Sequence, residues 1–226
     1  MLSLDRDRTL LGKAASGDPT GAMLPTMTTF HVSQPVQKPF DAAVVIPTLC
    51  RPSLLRAATS VFQQIGVARL QVLIGIDVVR GETSVIDAVL AARPPQHAVT
   101  VLNLGYSTSL RHGGVHRSAD SGALRTILTY CANSRFVTYL DDDNWMEETH
   151  IQRLLAAIKD RDWAYTLRLL VDPETQERIP RRCASMFGEI CRANAITETI
   201  VERYAPEAMD AIFGPMQETG SPTLAL

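Results

Sequence analysis

The stretch Arg135-Phe136-Val137-Thr138-Tyr139-Leu140-Asp141-Asp142-Asp143 decides how this chain is read. Its first six residues, rich in β-branched and aromatic side chains, predict a strand. The strand then runs without a spacer into three carboxylates. Side by side, these repel one another and lose solvation unless donors or a cation compensate them. An acidic triplet at a strand end is therefore a site for Mg2+ or Mn2+, and such a cation can bridge a diphosphate. The same run is also the ordinary chemistry of a solvated turn, which Asn144 extends. What else the chain brings to that strand end decides between the two.

Upstream, Ala42-Ala43-Val44-Val45-Ile46 is a continuous apolar run ended by Pro47, the pattern of a strand buried on both faces of a parallel sheet. Arg51-Pro52-Ser53 opens a helix through about Gln64, with Leu54, Leu55, Ala58, Val61 and Phe62 as its apolar stripe and Gly66 as its end. Leu70 to Asp77 predicts a second strand, Ser84 to Ala92 a helix stopped before Pro94-Pro95, and Val99 to Leu102 a third strand. A glycine- and serine-rich loop, Gly105 to His116, precedes a helix around Ala119 to Ala132 and the acidic strand.

Downstream, the pattern predicts a helix over Glu147 to Lys159, a strand over Trp163 to Val171 and a turn at Asp172-Pro173-Glu174-Thr175. Helical segments near Phe187 to Tyr204 and Pro206 to Phe213 and a loose tail complete the chain. The alternation implies an α/β fold with a Rossmann-like, mostly parallel sheet flanked by helices. Such sheets bind ligands outside the carboxyl ends of their strands, where Pro47-Thr48, Asp77 and Asp141-Asp142-Asp143 all fall.

At 226 residues and 46% hydrophobic content, the chain can bury one sizeable core. It divides into a flexible extension (1–40), the α/β domain (41–171) and a short divergent C-terminal portion (172–226). A net charge of -2 and a pI near 6.2 give no footprint for nucleic acid, and no basic run suggests an anionic membrane patch. Apolar runs fall far short of the roughly 20 residues a transmembrane helix requires. Cys50, Cys131, Cys183 and Cys191 form no C-x-x-C pair, the pattern of reduced thiols in a cytoplasmic protein.

No G-x-S-x-G elbow, P-loop or G-x-G-x-x-G is present, which removes the defining turns of serine hydrolases, NTPases and dinucleotide oxidoreductases. His112-Gly113-Gly114-Val115-His116 spaces two histidines at i and i+4, but paired glycines argue for a mobile loop over a metal-binding helix. That loop, taken to Ser121, is a candidate lid over a bound ligand. Trp145 and Trp163 suit packing, and Trp145 equally suits stacking on a sugar.

Over roughly residues 42–158 the sequence resembles the family 2 glycosyltransferases, whose fold is called GT-A. Val44-Val45-Ile46-Pro47-Thr48-Leu49-Cys50-Arg51 matches their opening V-V-I-P-T-x-x-R, with Cys50 where asparagine is usual. Asp77 stands where their second strand ends in a nucleoside-contacting aspartate, with Val78 replacing a second one. Arg125 lies sixteen residues before Asp141 (141 minus 125), as does a helix-borne arginine in the family, with Thr126 and Leu128 replacing the common asparagine and glycine. Tyr139-Leu140-Asp141-Asp142-Asp143 resembles their D-x-D signature.

The resemblance implies transfer of a sugar from a nucleotide-diphosphate donor to an acceptor glycan, lipid or protein, with inversion and with Mg2+ or Mn2+. It implies Asp143 as the metal ligand and Pro47, Thr48, Arg51, Asp77, Arg125, Asp141 and Asp142 as the nucleotide-sugar site. Uridine diphosphate sugars are the family's default. The physical logic agrees: a departing diphosphate accumulates negative charge that a divalent cation stabilises, Asp77 can accept a base N–H, and Arg125 can meet phosphate.

An inverting transferase also requires a general base near the acceptor hydroxyl. Beyond Val171 the acidic residues Asp172, Glu174, Glu189, Glu198 and Asp210 share no distinctive context, so residues 172–226 read as a divergent or truncated acceptor side. Two rival functions follow. One is a nucleotide-binding or assembly module without catalysis. The other is a metal phosphohydrolase that would release phosphate instead of transferring sugar.

Overall fold

The computed structural model describes residues 26–30, 38–117, 121–172, 175 and 177–192. In chain order these form strand β1 (Thr26–Phe30), β2 (Ala42–Thr48), helix α1 (Ser53–Phe62), β3 (Leu70–Ile76), α2 (Ser84–Ala92) and β4 (Ala98–Asn103). A short 3-10 turn, Leu110–His112, precedes α3 (Gly122–Tyr130), β5 (Phe136–Tyr139), α4 (His150–Ala157), β6 (Trp163–Val171) and β7 (Arg178–Arg192). One sheet collects the strands in the order β1-β4-β3-β2-β5-β7-β6. Its centre, β4-β3-β2-β5, is parallel, and its margins are antiparallel.

The apolar run read as a two-face-buried strand behaves as one. Successive side chains of a strand point to opposite faces. Ala42, Val44 and Ile46 accordingly pack with Leu54, Ala58 and Val61 of α1 and Val89 of α2. Ala43 and Val45 pack with Leu124 and Leu128 of α3 on the other face. Helices thus cover both faces, as a parallel sheet requires.

β2 continues one residue past Pro47 instead of ending there. A proline inside a central strand lacks an N–H for its ladder. It is tolerated here because Pro47, level with Gly75 of β3, turns its nitrogen to the β5 flank, where the ladder ends at Val45.

The C-terminal portion departs from the expected helices. Phe187 to Arg192 lies in β7, which pairs antiparallel with both β5 and β6 and so takes its extended form from partners distant in sequence. Residues 193–226, including the rest of the expected helices with Glu198 and Asp210, fall outside the described residues. At the other end, Thr26–Phe30 of the expected extension forms the edge strand beside β4. Among the described residues, no helix is long and apolar enough to cross a membrane.

Candidate functional site

Strand register builds the site. β2 and β3 run level, so Thr48 stands beside Ile76, and the Asp77 amide donates to the Thr48 carbonyl at 3.0 Å. β5 pairs Tyr139 with Val45, which carries the residue three beyond Tyr139 to the level of Thr48. That residue is Asp142. Its carboxylate accepts from the Thr48 hydroxyl at 2.7 Å and from the Leu49 amide at 3.1 Å.

The acidic triplet therefore splits. Asp142 points inward, 2% exposed, and also pairs with Arg51. Asp141 and Asp143 flank it with side chains 40% and 51% exposed. Asp141 pairs with Arg125 from α3, and Asp143 lies 3.1 Å from Arg51. Arg125 thus reaches the acidic turn from α3, and Arg51 serves two of its three carboxylates. Hydrogen bonding to Asp142, ahead of the attraction of the two charges, holds the Arg51 guanidinium above the ordinary arginine pKa despite its partial burial.

Buried polar groups on α1 and just past its end fix the chain beyond the triplet. Ser60 Oγ accepts from the Met146 amide at 3.0 Å, and Gln64 accepts from the Ile151 amide while donating to the Glu147 carbonyl. Arg56 donates to the Asp143 carbonyl at 3.2 Å and lies 4.1 Å over the Trp145 ring. One face of Trp145 is thereby occupied by a cation. A cavity of about 410 Å3, lined by Leu55, Arg56, Thr59, Trp145 and Met146 among others, opens along this side of α1. Trp163, the second tryptophan, stacks on Tyr165 at the surface.

The turn after β2 is tightly built. Cys50 adopts a left-handed backbone at φ 58, a conformation that favours asparagine among ordinary side chains. The thiol is buried, and burial followed by the charge of Asp142 pushes its pKa up to about 11. Gly81 leans on this turn so closely that a Cβ there would lie 1.9 Å from the Cys50 carbonyl oxygen. Glycine is required by that approach.

Asp77 sits at the β3 end with its side chain 3% exposed. Two residues that the sequence pattern does not single out as site residues hold it: Ser107 donates to Oδ1 at 2.7 Å, and His112 Nδ1 lies 3.1 Å from Oδ2. Both come from the loop expected to be mobile. That loop folds on itself, with amide bonds from Leu110 to the His116 carbonyl at 2.7 Å and from His116 to the Thr108 carbonyl at 3.0 Å. Nothing local marks the pairing of Ser107 and His112 with Asp77, because it spans 30 and 35 residues of sequence.

The residues present suit Mg2+ or Mn2+ in one way. Among the described residues, no three His, Cys, Asp or Glu side chains converge as a cation cage. Magnesium-type sites, however, use one or two carboxylates and complete their octahedron with water and phosphate oxygens. Asp143 and Asp141 offer that number of exposed carboxylates, and Asp142 is committed to the fold.

No protein-family model matches the chain, and no curated protein matches its sequence. Solved structures match its shape. S. aureus TarS 1-349 in complex with UDP superposes with a TM-score of 0.52 at 15% identity, over 76% of this chain and 52% of that one. TarS 1-349 on its own gives 0.49 at 15% identity over 70% and 49%, and the mannosyltransferase PcManGT from Pyrobaculum calidifontis in complex with GDP-Man and Mn2+ gives 0.42 at 16% over 63% and 39%. The chain spans about half the length of the TarS fragment that it matches. The fold is the GT-A-like α/β arrangement that the resemblance implied, a sheet with a parallel centre flanked by helices.

Proposed function

We propose that this chain binds a nucleoside-diphosphate sugar in the crevice at the carboxyl ends of β2, β3 and β5 and, with Mg2+ or Mn2+, transfers the sugar to an acceptor glycan, lipid or protein with inversion. The observation that carries this reading is the convergence of Thr48, Asp77 and the acidic turn at one edge of the sheet, the place where open α/β sheets take ligands. The UDP held by TarS, similar in fold, supports it.

In this reading Asp143 holds the cation with help from Asp141, and the cation supplies charge stabilisation to the departing diphosphate. Asp77 accepts an N–H of the base. Pro47 and Thr48 form the crevice floor. Arg51 and Arg125 exchange a carboxylate for a phosphate oxygen, a move a guanidinium makes readily because both anions fit its fork of donors. Asp142 holds the turn in register and so places its two neighbours.

One observation favours a second reading. Asp142 and Asp141 already have arginine partners, so two of the turn's three charges are met by the chain itself. A module that binds nucleotide without turning it over needs no more than that. Calorimetric titration with UDP, GDP and TDP, with Mn2+ or with chelator, tests what the two readings share. Metal-dependent binding that disappears in Asp143→Ala is expected, and a folded parent chain that binds none of the three overturns both. Hydrolysis or transfer of a bound sugar donor then separates enzyme from module.

A further inference from the structure

A one-way chain of hydrogen bonds leads from the surface to Asp77. Exposed Arg80 places Nη2 3.0 Å from His112 Nε2, His112 Nδ1 stands 3.1 Å from Asp77 Oδ2, and Ser107 Oγ donates to Oδ1 at 2.7 Å. A guanidinium only donates, so Nε2 must accept. The proton of a neutral imidazole is then on Nδ1, where it donates to the carboxylate. Both oxygens of Asp77 are thereby held, and each keeps a lone-pair direction that can meet only a donor.

The supports of this chain are themselves fixed. The Arg80 amide donates to the Leu49 carbonyl at 2.9 Å, which ties it to the turn after β2. The loop carrying Ser107 and His112 closes through the Gly114 amide on the Ser109 carbonyl at 2.8 Å. A Cβ on Gly114 would stand 2.3 Å from the Thr108 carbonyl carbon, so only glycine allows this closure.

We propose that Arg80, His112 and Ser107 are positioning residues for nucleobase choice. They hold Asp77 as an oriented acceptor, so the crevice takes bases that present an imino N–H, as uracil, thymine and guanine do. It rejects bases that present a ring acceptor there, as cytosine and adenine do. The inference rests on the donor-site reading above and assigns the selection to a loop residue acting through Asp77. A buried acceptor facing another acceptor loses a hydrogen bond and gains none, which corresponds to roughly ten- to hundred-fold in affinity.

The test titrates UDP, CDP and pyrophosphate with Mn2+ into the parent chain, His112→Ala and His112→Asn. The amide nitrogen of asparagine can stand in for the donating Nδ1. The parent is expected to prefer UDP over CDP at least tenfold, roughly the value of one hydrogen bond. His112→Ala should lose most of that preference with pyrophosphate affinity unchanged, and His112→Asn should recover it. An unaltered UDP-to-CDP ratio in His112→Ala, or a loss shared equally by pyrophosphate, overturns the proposal.

Nitrogen-15 shifts of the His112 ring in the ligand-free chain give an independent reading. Protonation at Nδ1 supports the relay, and protonation at Nε2 overturns it whatever the nucleotides do. A parent chain that binds neither UDP nor CDP overturns the donor-site reading and base choice with it, while the ring shifts still decide whether the relay exists.

Discussion

The two carboxylates buried at the strand ends on either side of β2 are satisfied in opposite ways. Asp77, at the end of β3, is held by a hydroxyl and an imidazole from one loop. Asp142, beyond β5, is held by the turn after β2 and by an arginine whose side chain is itself 43% exposed. The first arrangement is short-ranged and directional, suited to selecting shape. The second places a rigid acceptor beneath two exposed, arginine-paired neighbours, suited to exchanging charge. In the proposed function the crevice then has a selecting end and an exchanging end, with stability and ligand chemistry assigned to different carboxylates of the same triplet.

The largest effect that sharpens this division is expected from Asp142→Ala. The change strands the Thr48 hydroxyl and the Leu49 amide, at roughly 1–3 kcal/mol for each buried donor left unpaired, and leaves Arg51 with Asp143 alone. A loss of about 3 kcal/mol in denaturant unfolding should follow. Asp143→Ala removes only an exposed pairing and should cost under about 1 kcal/mol. Equal losses from the two variants would break the division between structural and exchangeable carboxylates.

Gly81→Ala comes next. It forces the segment after β3 away from the Cys50 carbonyl and should cost about 1–3 kcal/mol, as overpacking does. A variant as stable as the parent would show that the two turns are not braced against each other.

The smallest effect is a pH dependence. Below the ordinary thiol value of 9.0 both folded and unfolded chains keep the Cys50 proton. Between 9.0 and about 11 only the unfolded chain loses it. The contribution is therefore fully present below 9.0 and lost as pH rises through about 11. Cys50→Ala should flatten that part of the stability profile, and an unchanged slope would mean that the thiol is not held protonated by its surroundings.

The parts of this molecule legible in sequence are those whose own residues suffice to specify them. α2 and β6 begin and end where periodicity places them, and β2 and β3 follow from continuous apolar runs. β7 does not, because Pro180, Gly188 and its scattered arginines carry no strand period, and its form comes from pairing with β5 and β6 across register shifts. In the site, the strand ends that converge were readable. Which of three identical carboxylates turns inward was not, since only the offset between β2 and β5 selects Asp142. The bond between Asp77 and His112 was equally hidden, because it joins strand and loop across the fold.

β1 has a consequence for how copies of the chain meet. The outer flank of β4 is a row of backbone N–H and C=O groups, and an open row of that kind is a template on which another chain can add a strand. Thr26–Phe30 occupies it antiparallel, from Thr26 against Asn103 to Phe30 against Val99. Five residues that precede the α/β segment therefore move the open edge of the sheet from β4 to a short strand, and a short edge is a poorer template for an added chain. A chain shortened past Phe30 would expose the β4 flank in its place, and its colloidal behaviour would change before its crevice did.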